Sequence, residues 1–457
     1  MDIEKLKVEA KQGDARAQCN LAVSYAKGFG VKKNPAKAFA LYGKSAEQGF
    51  LGGYYGLGVC YANGEGVKQD PGKATEWWTK AAEQGEMRAQ NSLGYSYSNG
   101  DGVKRDTVAA VKWWTKAAEQ GNDDAQLNLA VCYANGEGVE QDYLETIKWY
   151  TKAAEQGNAH AQYGLGVCYA AGHGVPVDHK KAVAWYRKAA KQGFARAQHF
   201  LGTCYDVGRG VKKDCAKAFE WYETAAKQGD RDAQFNLGVC YDRGEGVSQD
   251  NAEAIRWWTK AAEQGHIDAQ VELGQSYDKG SGVEQNFEKA VEWNRRAAEQ
   301  GDAQAQFHLG NFYENGDGVD KDNDKAFYWY KQSAEQGNAC GQYSLACCYS
   351  DGVGVKKSEV TAVEWFVRAA EQGDTDAQLN VAMRYERGED GLKQDHAKAV
   401  EWYLKAAEQG EPAAQYFLAC KYEFGEGVRK NKKRALMWMQ KSAEQGDKDA
   451  IEYLSLK

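Results

Sequence analysis

The dipeptide Gln-Gly returns along this chain at a nearly constant interval, and this spacing limits the folds that the chain can adopt. The glycines of these dipeptides are Gly13, Gly49, Gly85, Gly121, Gly157, Gly193, Gly229, Gly265, Gly301, Gly337, Gly373, Gly410 and Gly446. Every step is 36 residues except the one from 373 to 410, which is 37. A period of this size indicates a tandem array in which each unit is one supersecondary element. Twelve units fit between the first and the last of these glycines.

Other residues keep their places when positions are counted from each of these glycines. Position 12 is tyrosine in all twelve units, from Tyr25 to Tyr422, and position 15 is always glycine. Position 28 is Leu41 in the first unit and tryptophan in the other eleven, one residue later once the long step is passed. We place the extra residue of that step in the loop 388–391, where an insertion leaves both flanking helices in phase.

Each unit contains two helical patterns. In the unit that begins at Gly85 the first helix is predicted to span roughly 88–98, with apolar residues four apart on one face. Gly100 can close it in the left-handed conformation. The second helix is predicted to begin near Asp106, a favourable N-cap, and to end at Gly121.

These patterns predict an all-α fold, an α/α solenoid of helix pairs. No single unit can bury its own apolar stripe, so neighbouring units must stack to complete the core. We expect one continuous array over 1–457, with an N-terminal cap helix in 1–13, twelve repeats in 14–446 and a C-terminal cap helix in 447–457.

The repeating pattern Ala-x-x-x-Leu-Gly-x-x-Tyr-x-x-Gly-x-Gly-Val, followed by Lys-Ala-x-x-Trp-Tyr-x-Lys-Ala-Ala-Glu-Gln-Gly, resembles the Sel-one-like repeat, a relative of the tetratricopeptide repeat. The resemblance covers essentially the whole chain. It implies a right-handed superhelix whose first helices line a concave surface. It also implies a role as an adaptor or scaffold, because members of this family mostly hold other proteins together.

Composition and charge exclude several classes of partner. The formal net charge is −7 and no basic block follows the chain, so nucleic acid is not expected. No apolar stretch is long enough for membrane insertion, and the N-terminus lacks a signal peptide. We therefore expect a cytoplasmic protein, or an effector exported without a signal peptide, with a monomer favoured.

The cysteines indicate packing rather than a disulfide framework. Six of the 11 share position 11, and equivalent positions in successive helix pairs are too far apart for a disulfide. A secreted, cysteine-rich branch of the resembled family is stapled within each repeat, but here Ala82 and Gln90 stand at those positions in one unit. That branch has been linked to β-lactam binding. A protein that binds or hydrolyses a β-lactam or a peptidoglycan fragment therefore remains the alternative to a scaffold.

No motif predicts catalysis. The recurring Gly-x-Gly follows a helix and lacks the third glycine of a dinucleotide fingerprint, so it is interpreted as a turn. A metal clip between His173 and His179, or one joining Cys347 and Cys348 to His308, is conceivable but disfavoured. We expect no enzymatic activity, no catalytic residue, no cofactor and no metal.

The candidate binding surface follows from variation among the units. Positions 3, 7, 11 and 14 of the first helix vary, and the resemblance implies that they face the concave surface. Asparagine at position 7 can pair with the backbone of an extended peptide, while aromatic residues and arginine in the last units are typical of binding hot spots. The predicted partner-binding residues are Asn128, Asn236, His308, Phe312, Asn380, Arg384, Arg387, Phe417, Lys421 and Phe424. Asn294 replaces an aromatic residue and is interpreted as a packing defect or a joint.

Overall fold

The computed structural model describes residues 3–388 and 392–456, and these residues form helices and loops with no strand among them. The helices of this described part are α1 (Ile3–Lys11), α2 (Ala15–Lys27), α3 (Pro35–Glu47), α4 (Leu51–Asn63), α5 (Pro71–Glu83), α6 (Met87–Asn99), α7 (Thr107–Glu119), α8 (Asp123–Asn135), α9 (Tyr143–Glu155), α10 (Ala159–Ala171), α11 (His179–Lys191), α12 (Ala195–Val207), α13 (Cys215–Lys227), α14 (Arg231–Arg243), α15 (Asn251–Glu263), α16 (Ile267–Lys279), α17 (Phe287–Glu299), α18 (Ala303–Asn315), α19 (Asn323–Glu335), α20 (Ala339–Asp351), α21 (Glu359–Glu371), α22 (Thr375–Arg387), α23 (His396–Glu408), α24 (Pro412–Phe424), α25 (Lys432–Glu444) and α26 (Lys448–Ser455).

The chain divides into two compact units, unit 1 over 1–230 and unit 2 over 231–457. Within each unit, successive helices pack as pairs and each pair packs on the next. The even-numbered helices α2 to α24 are the first helices of the repeats, and the odd-numbered helices α3 to α25 are the second helices. The predicted helix-pair solenoid is thereby confirmed, and the single array over 1–457 stays a prediction.

The local signals in the sequence explain where the helices begin and end. Asp106 caps α7, since its Oδ1 accepts a hydrogen bond from the Ala109 amide at 2.9 Å. Gly100 closes α6 with φ 85° in the left-handed region. Gly102 is required for a second reason, because a Cβ there would lie 2.1 Å from the Pro71 carbonyl oxygen of the preceding repeat. Stacking therefore brings the loop of one repeat against the start of the previous second helix.

The core of each repeat is a leucine between alanines and a large aromatic residue. Leu93 is fully buried, and Trp114 of the paired helix is 5% exposed. Gly94 leaves the room for this ring, because a Cβ there would lie 2.3 Å from Trp114 Nε1. Burying one such leucine contributes about 2 kcal/mol relative to leaving it in water, and each repeat supplies another.

A ladder of glutamine side chains joins successive repeats and explains the Gln-Gly motif. The buried Gln126 donates from Nε2 to the Ala118 carbonyl at 3.0 Å, and its Oε1 accepts from Gln156 Nε2 at 2.8 Å. The same pair of bonds recurs in both units, for example at Gln306 and Gln342 of unit 2. The buried glutamine of each first helix is thus the link to the repeat that precedes it, and the glutamine before each glycine ties the second helix of a repeat to that buried glutamine.

The ladder is interrupted once near the N-terminus. Tyr54 stands where the other repeats carry the buried glutamine, and it stacks on Trp77 with ring centroids 5.7 Å apart. Gln84, which would bond to that glutamine, donates instead to the Lys80 carbonyl of its own helix at 3.0 Å. The two helices of this repeat are therefore joined here by ring packing in place of a polar link.

The tryptophans at position 28 lie under lysine or arginine side chains. Lys188 Nζ lies 3.8 Å from the ring centroid of the half-buried Trp185, and Lys405 Nζ lies 3.7 Å from that of Trp402. The spacing of three residues places cation and ring on one helix face. These contacts cover the aromatic edge of each second helix with charge, which keeps it solvated.

The remaining structural expectations concern the ends, the cysteines and the inserted loop. α1 and α26 are single helices packed on the terminal pairs, as the cap segments predict. All eleven cysteines are free thiols. The inserted loop begins at Gly388, whose backbone closes α22, and its residues 389–391 lie outside the described residues. Both flanking helices, α22 and α23, have the same 13-residue length as their equivalents.

Candidate functional site

The first helices of the repeats form one face of each of the two compact units, unit 1 and unit 2, and we call this the first-helix face. Neighbouring first helices contact each other directly in unit 1, where α2 meets α4 and α6 meets α8, and in unit 2, where α18 meets α20. A shallow groove runs between successive first helices. In unit 1 the aromatic residue at position 29 of the repeat, which belongs to the second helix, lies in this groove. The groove opens into two pockets in unit 1.

The first of these, the Trp78 pocket, lies between α4 and α6 and has a volume of about 370 Å³. Trp78 of α5 faces it, with Tyr95 and Ser96 of α6 on the other side. Tyr95 is 43% exposed and packs edge-on against Trp114, with centroids 5.6 Å apart. The pocket thus presents an indole and a phenol to solvent in a site of side-chain size.

The second, the Asn128 pocket, has a volume of about 410 Å³ and is formed by α8, α9, α10 and the start of α12 with their connecting segments. Its lining residues are Leu127, Asn128, Val131, Ala134, Tyr143, Tyr150, His160, Tyr163, Gly164, Val167, Cys168, His173, Phe194 and Arg196. Rings pack on rings around it, with Tyr143 stacked on His173 at 4.8 Å and His160 against Phe194 at 4.5 Å between centroids. The walls are therefore apolar and aromatic, and the polar groups are few.

Four of the buried polar atoms that have no hydrogen-bond partner in the described part of unit 1 form a run along the chain. They belong to consecutive helices from α5 to α8 and are Trp78 Nε1, Asn91 Oδ1, Trp114 Nε1 and Asn128 Nδ2. Buried polar atoms in folded proteins nearly always find a partner, so such a run needs an explanation. Three of them are donors and one is an acceptor, a mixture that a polypeptide backbone can satisfy.

The first-helix face of unit 2 is held by ion pairs rather than left open. Arg384 donates from Nη1 to Asn380 Oδ1 at 3.0 Å, and its guanidinium carbon lies 4.6 Å from the Phe366 ring centroid. Arg384 Nη2 also lies 3.7 Å from Glu359 Oε2. The structure therefore brings together the predicted residues Asn380 and Arg384, and it fixes the arginine among groups of its own unit.

Lys421 stands in a second network, between α22 and α24. Its ammonium donates to Glu386 and, at 2.8 Å, to Glu426 Oε2, and Tyr403 donates its hydroxyl to Glu386 Oε2 at 2.6 Å. Burial disfavours the charge of Lys421, but the hydrogen bonds to Glu386 and Glu426 outweigh it and raise the lysine pKa. Burial, together with the bond to Glu386, raises the pKa of Tyr403 far above its usual value.

Two of the predicted binding residues are therefore interior residues. Phe312 is 6% exposed and packs in the core of its repeat, and Lys421 is 4% exposed and paired with two carboxylates. Position 11 of the first helix is an interior position, which explains why most repeats keep a small residue there. Neither side chain is carried forward as a direct contact with a partner.

The other predicted residues differ in how exposed their side chains are. Phe424 is 65% exposed at the end of α24, and Arg387 is exposed at the end of α22. Phe417 stacks on Tyr403 at 5.4 Å between centroids and is half-buried. His308 and Asn236 are half-buried in α18 and α14.

His308 lies beside Gln304, with 2.9 Å between their Nε2 atoms. Burial lowers the pKa of His308. The neutral imidazole is therefore favoured at physiological pH, and His308 contributes a polar but uncharged group to the first-helix face.

The Asn128 pocket was found from the sequence only through Asn128 itself. Its aromatic residues stand at positions 1 and 6 of the first helices, which the variation among the units had not singled out, as with Phe194 and Tyr163. An aromatic residue at position 6 of α10, followed by Phe194 and Arg196 one repeat later, is the signal that points to it. Only stacking brings these three repeats to one pocket.

Comparisons with known proteins agree with this architecture. The chain matches the Sel1 repeat family in twelve segments, at 15–50, 52–86, 88–122, 123–158, 159–194, 195–230, 231–266, 267–302, 303–338, 341–374, 375–411 and 412–447. These segments reproduce the predicted repeats in number and phase. No functionally curated protein matches the chain.

Two solved structures are similar over most of the chain. The crystal structure of c5321, described as a protective antigen present in uropathogenic Escherichia coli strains and displaying an SLR fold, is 35% identical with a TM-score of 0.78. The match covers 100% of this chain and 98% of that one. A Sel1 repeat protein from Oxalobacter formigenes is also 35% identical, with a TM-score of 0.54, over 68% of this chain and 92% of that one.

Among the helices of the described residues, none combines the length and the apolar character needed to span a bilayer.

Proposed function

Because the chain belongs to the Sel1 repeat family, whose members generally mediate protein–protein interactions, we propose that it is a non-enzymatic scaffold that binds a protein or extended peptide on its first-helix face. The observation that carries this proposal is the run of unpartnered polar atoms from Trp78 to Asn128. An isolated chain gains nothing from burying polar groups without partners, since each costs about 1–3 kcal/mol. A bound polypeptide can offer the missing groups where these residues line a pocket, as Trp78 and Asn128 do.

The rest of the repeat framework supports the same face. The buried glutamines already have hydrogen-bond partners in the ladder, and most tryptophans at position 28 are covered by lysine or arginine. Groove residues such as Tyr95 and Val131 are exposed and differ from repeat to repeat. Binding specificity in a repeat protein resides in such variable positions on a constant framework.

The alternative, a β-lactam or peptidoglycan-fragment protein, finds no support. At the two positions that are disulfide-bonded in the cysteine-rich branch, Gln90 donates from Nε2 to the Ala82 carbonyl at 3.1 Å. The ladder bond thus replaces the staple. Eleven free thiols suit a reducing compartment, and we place the scaffold in the cytoplasm on that ground.

The proposal is tested by affinity capture from the native cell with a double variant, Asn91→Leu with Asn128→Ala. Neither substitution removes a hydrogen bond made by the unpartnered atoms, so we expect the melting temperature to stay equal or rise. Capture of the partner should fall about tenfold or more, as loss of about 1.4 kcal/mol predicts. Asn135→Ala, at the exposed end of the same helix α8, is the matched control and should leave capture unchanged.

Two results would count against the proposal. The first is equal capture by the double variant and by the Asn135→Ala control. The second is a fall in melting temperature in the double variant, which would mean that the two asparagines serve the fold.

A further inference from the structure

The Asn128 pocket differs in charge from the rest of the protein. The chain carries a net charge of −7, yet no aspartate or glutamate lines this pocket in the described part of the chain. Its polar side chains are Arg196, the Asn128 amide with its unpartnered Nδ2, the imidazoles of His160 and His173, three tyrosines and the Cys168 thiol. All of these can donate hydrogen bonds, and one is a permanent cation.

Arg196 is free to receive an anion. It is exposed at the start of α12, and it makes no ion pair or side-chain hydrogen bond within the described residues. Lys217 of the same unit, by contrast, is neutralised by Asp214 at 2.7 Å. An unpaired guanidinium beside an aromatic cavity is complementary to a carboxylate next to a ring or an apolar side chain.

The size and the walls of the pocket indicate what the apolar part of the ligand must be. A volume of about 410 Å³ exceeds that of one large side chain, and Tyr163, Phe194 and Val167 supply the apolar contacts. Tyr163 is packed on Phe194 at 5.4 Å and on Phe200 at 5.5 Å, so the wall is preorganised. A preorganised aromatic wall lowers the entropic cost of binding.

We propose that the Asn128 pocket binds an acidic peptide segment of the partner, in which an aromatic side chain enters the cavity and a neighbouring aspartate or glutamate pairs with Arg196. This rests on the proposed function and names the class of partner for it. The Asn128 amide donates to a carbonyl of the same segment. The commitment to an acidic occupant follows from charge complementarity at a pocket without carboxylates.

The probe is a fluorescein-labelled seven-residue peptide with phenylalanine at its centre and aspartate on both sides. Two companions replace both aspartates by lysine or the phenylalanine by alanine, and affinities are measured by fluorescence polarisation on the full chain. We expect the aspartate–phenylalanine peptide to bind about tenfold more tightly than either companion, and its affinity to fall as salt is raised.

Charge reversal makes the test independent of any loss of folding. Arg196→Glu should invert the preference, so that the lysine peptide binds more tightly than the aspartate peptide. Arg16→Glu is the matched control, because Arg16 holds the same repeat position in α2, is exposed, and lies outside the pocket. It should leave the preference for the aspartate peptide unchanged.

The proposal is overturned if the aspartate and lysine peptides bind wild type equally, if none of the three binds, or if Arg196→Glu keeps the wild-type preference. Its failure is distinguishable from failure of the scaffold function. Suppose that the Asn91 and Asn128 double variant loses partner capture while the wild type shows no preference among the peptides. The proposed scaffold function would then stand, and only the proposal of an acidic ligand would be rejected.

Discussion

The glutamine ladder makes a quantitative prediction, because the chain contains both an intact rung and a broken one. Gln156 donates to Gln126 Oε1 at 2.8 Å, and Gln126 is 4% exposed. Gln84 holds the same repeat position but bonds only to the Lys80 carbonyl of its own helix, because Tyr54 stands where its partner would be. Replacement of each by alanine therefore isolates the contribution of the glutamine–glutamine bond between the two helices of a repeat.

The magnitude follows from what each substitution leaves behind. Gln156→Ala removes one hydrogen bond, at about 1 kcal/mol, and leaves the buried Oε1 of Gln126 unpaired, at about 1 kcal/mol more. The total of about 2 kcal/mol corresponds to a roughly thirtyfold increase in the local opening equilibrium. Gln84→Ala removes a solvent-exposed bond within one helix, and we expect a change of less than about 0.5 kcal/mol.

Native-state hydrogen exchange measured by mass spectrometry resolves this locally. Amides in the first turns of α8 and the last turn of α9 should exchange about thirtyfold faster in Gln156→Ala, while the equivalent amides around Gln84→Ala change by less than about threefold. In a Gln126→Ala background, Gln156→Ala should add little, because its partner is already gone. Equal effects of Gln156→Ala and Gln84→Ala would refute the assignment of stability to the ladder.

Two further predictions concern single buried side chains. Asn294 is 1% exposed and its Oδ1 has no partner among the described residues, and Gly274 faces it as Gly310 faces Tyr330. Asn294→Tyr should therefore raise the unfolding free energy by about 1–2 kcal/mol. A lower melting temperature in a thermal scan would show that the site cannot hold the ring. Burial raises the pKa of Cys132 to about 11 from 9.0, so the native thiol keeps its proton while the unfolded thiol ionises, and urea unfolding should show stability that is full below pH 9 and falls between pH 9 and 11. Cys132→Ser should make this fall shallower without abolishing it, because burial raises the pKa of Cys60 and Cys168 to about 11 as well, and an unchanged slope would contradict the assignment.

The fold was largely predictable because its determinants are local and repeated. Asp106 as a cap, Gly100 as a helix end and the free cysteines follow from short-range rules that hold wherever the pattern recurs. The insertion in the loop after Gly388 was placed by phase alone, and the helices on both sides keep their length. Periodicity fixes such features before any packing partner is known.

The candidate site was less predictable, because burial depends on what lies across the helix from each side chain. Position 11 varies among the units and was interpreted as surface, yet Phe312 and Lys421 there are buried. In Lys421 the charge is retained only because Glu386 and Glu426 converge on it, one of them from the preceding repeat. Variation at a position therefore did not imply exposure.

The amino-acid sequence by itself determined the repeat, the helix pair and the ends of nearly every helix, since each depends on residues within about one turn of one another. The tertiary structure decided which side chains meet between helices, because Gln126 and Gln156 are 30 residues apart and become neighbours only when α8 packs on α9. The Asn128 pocket belongs to this second class. Its wall from Leu127 to Arg196 is assembled from three successive first helices, and the distance between them is set by core packing rather than by any local signal.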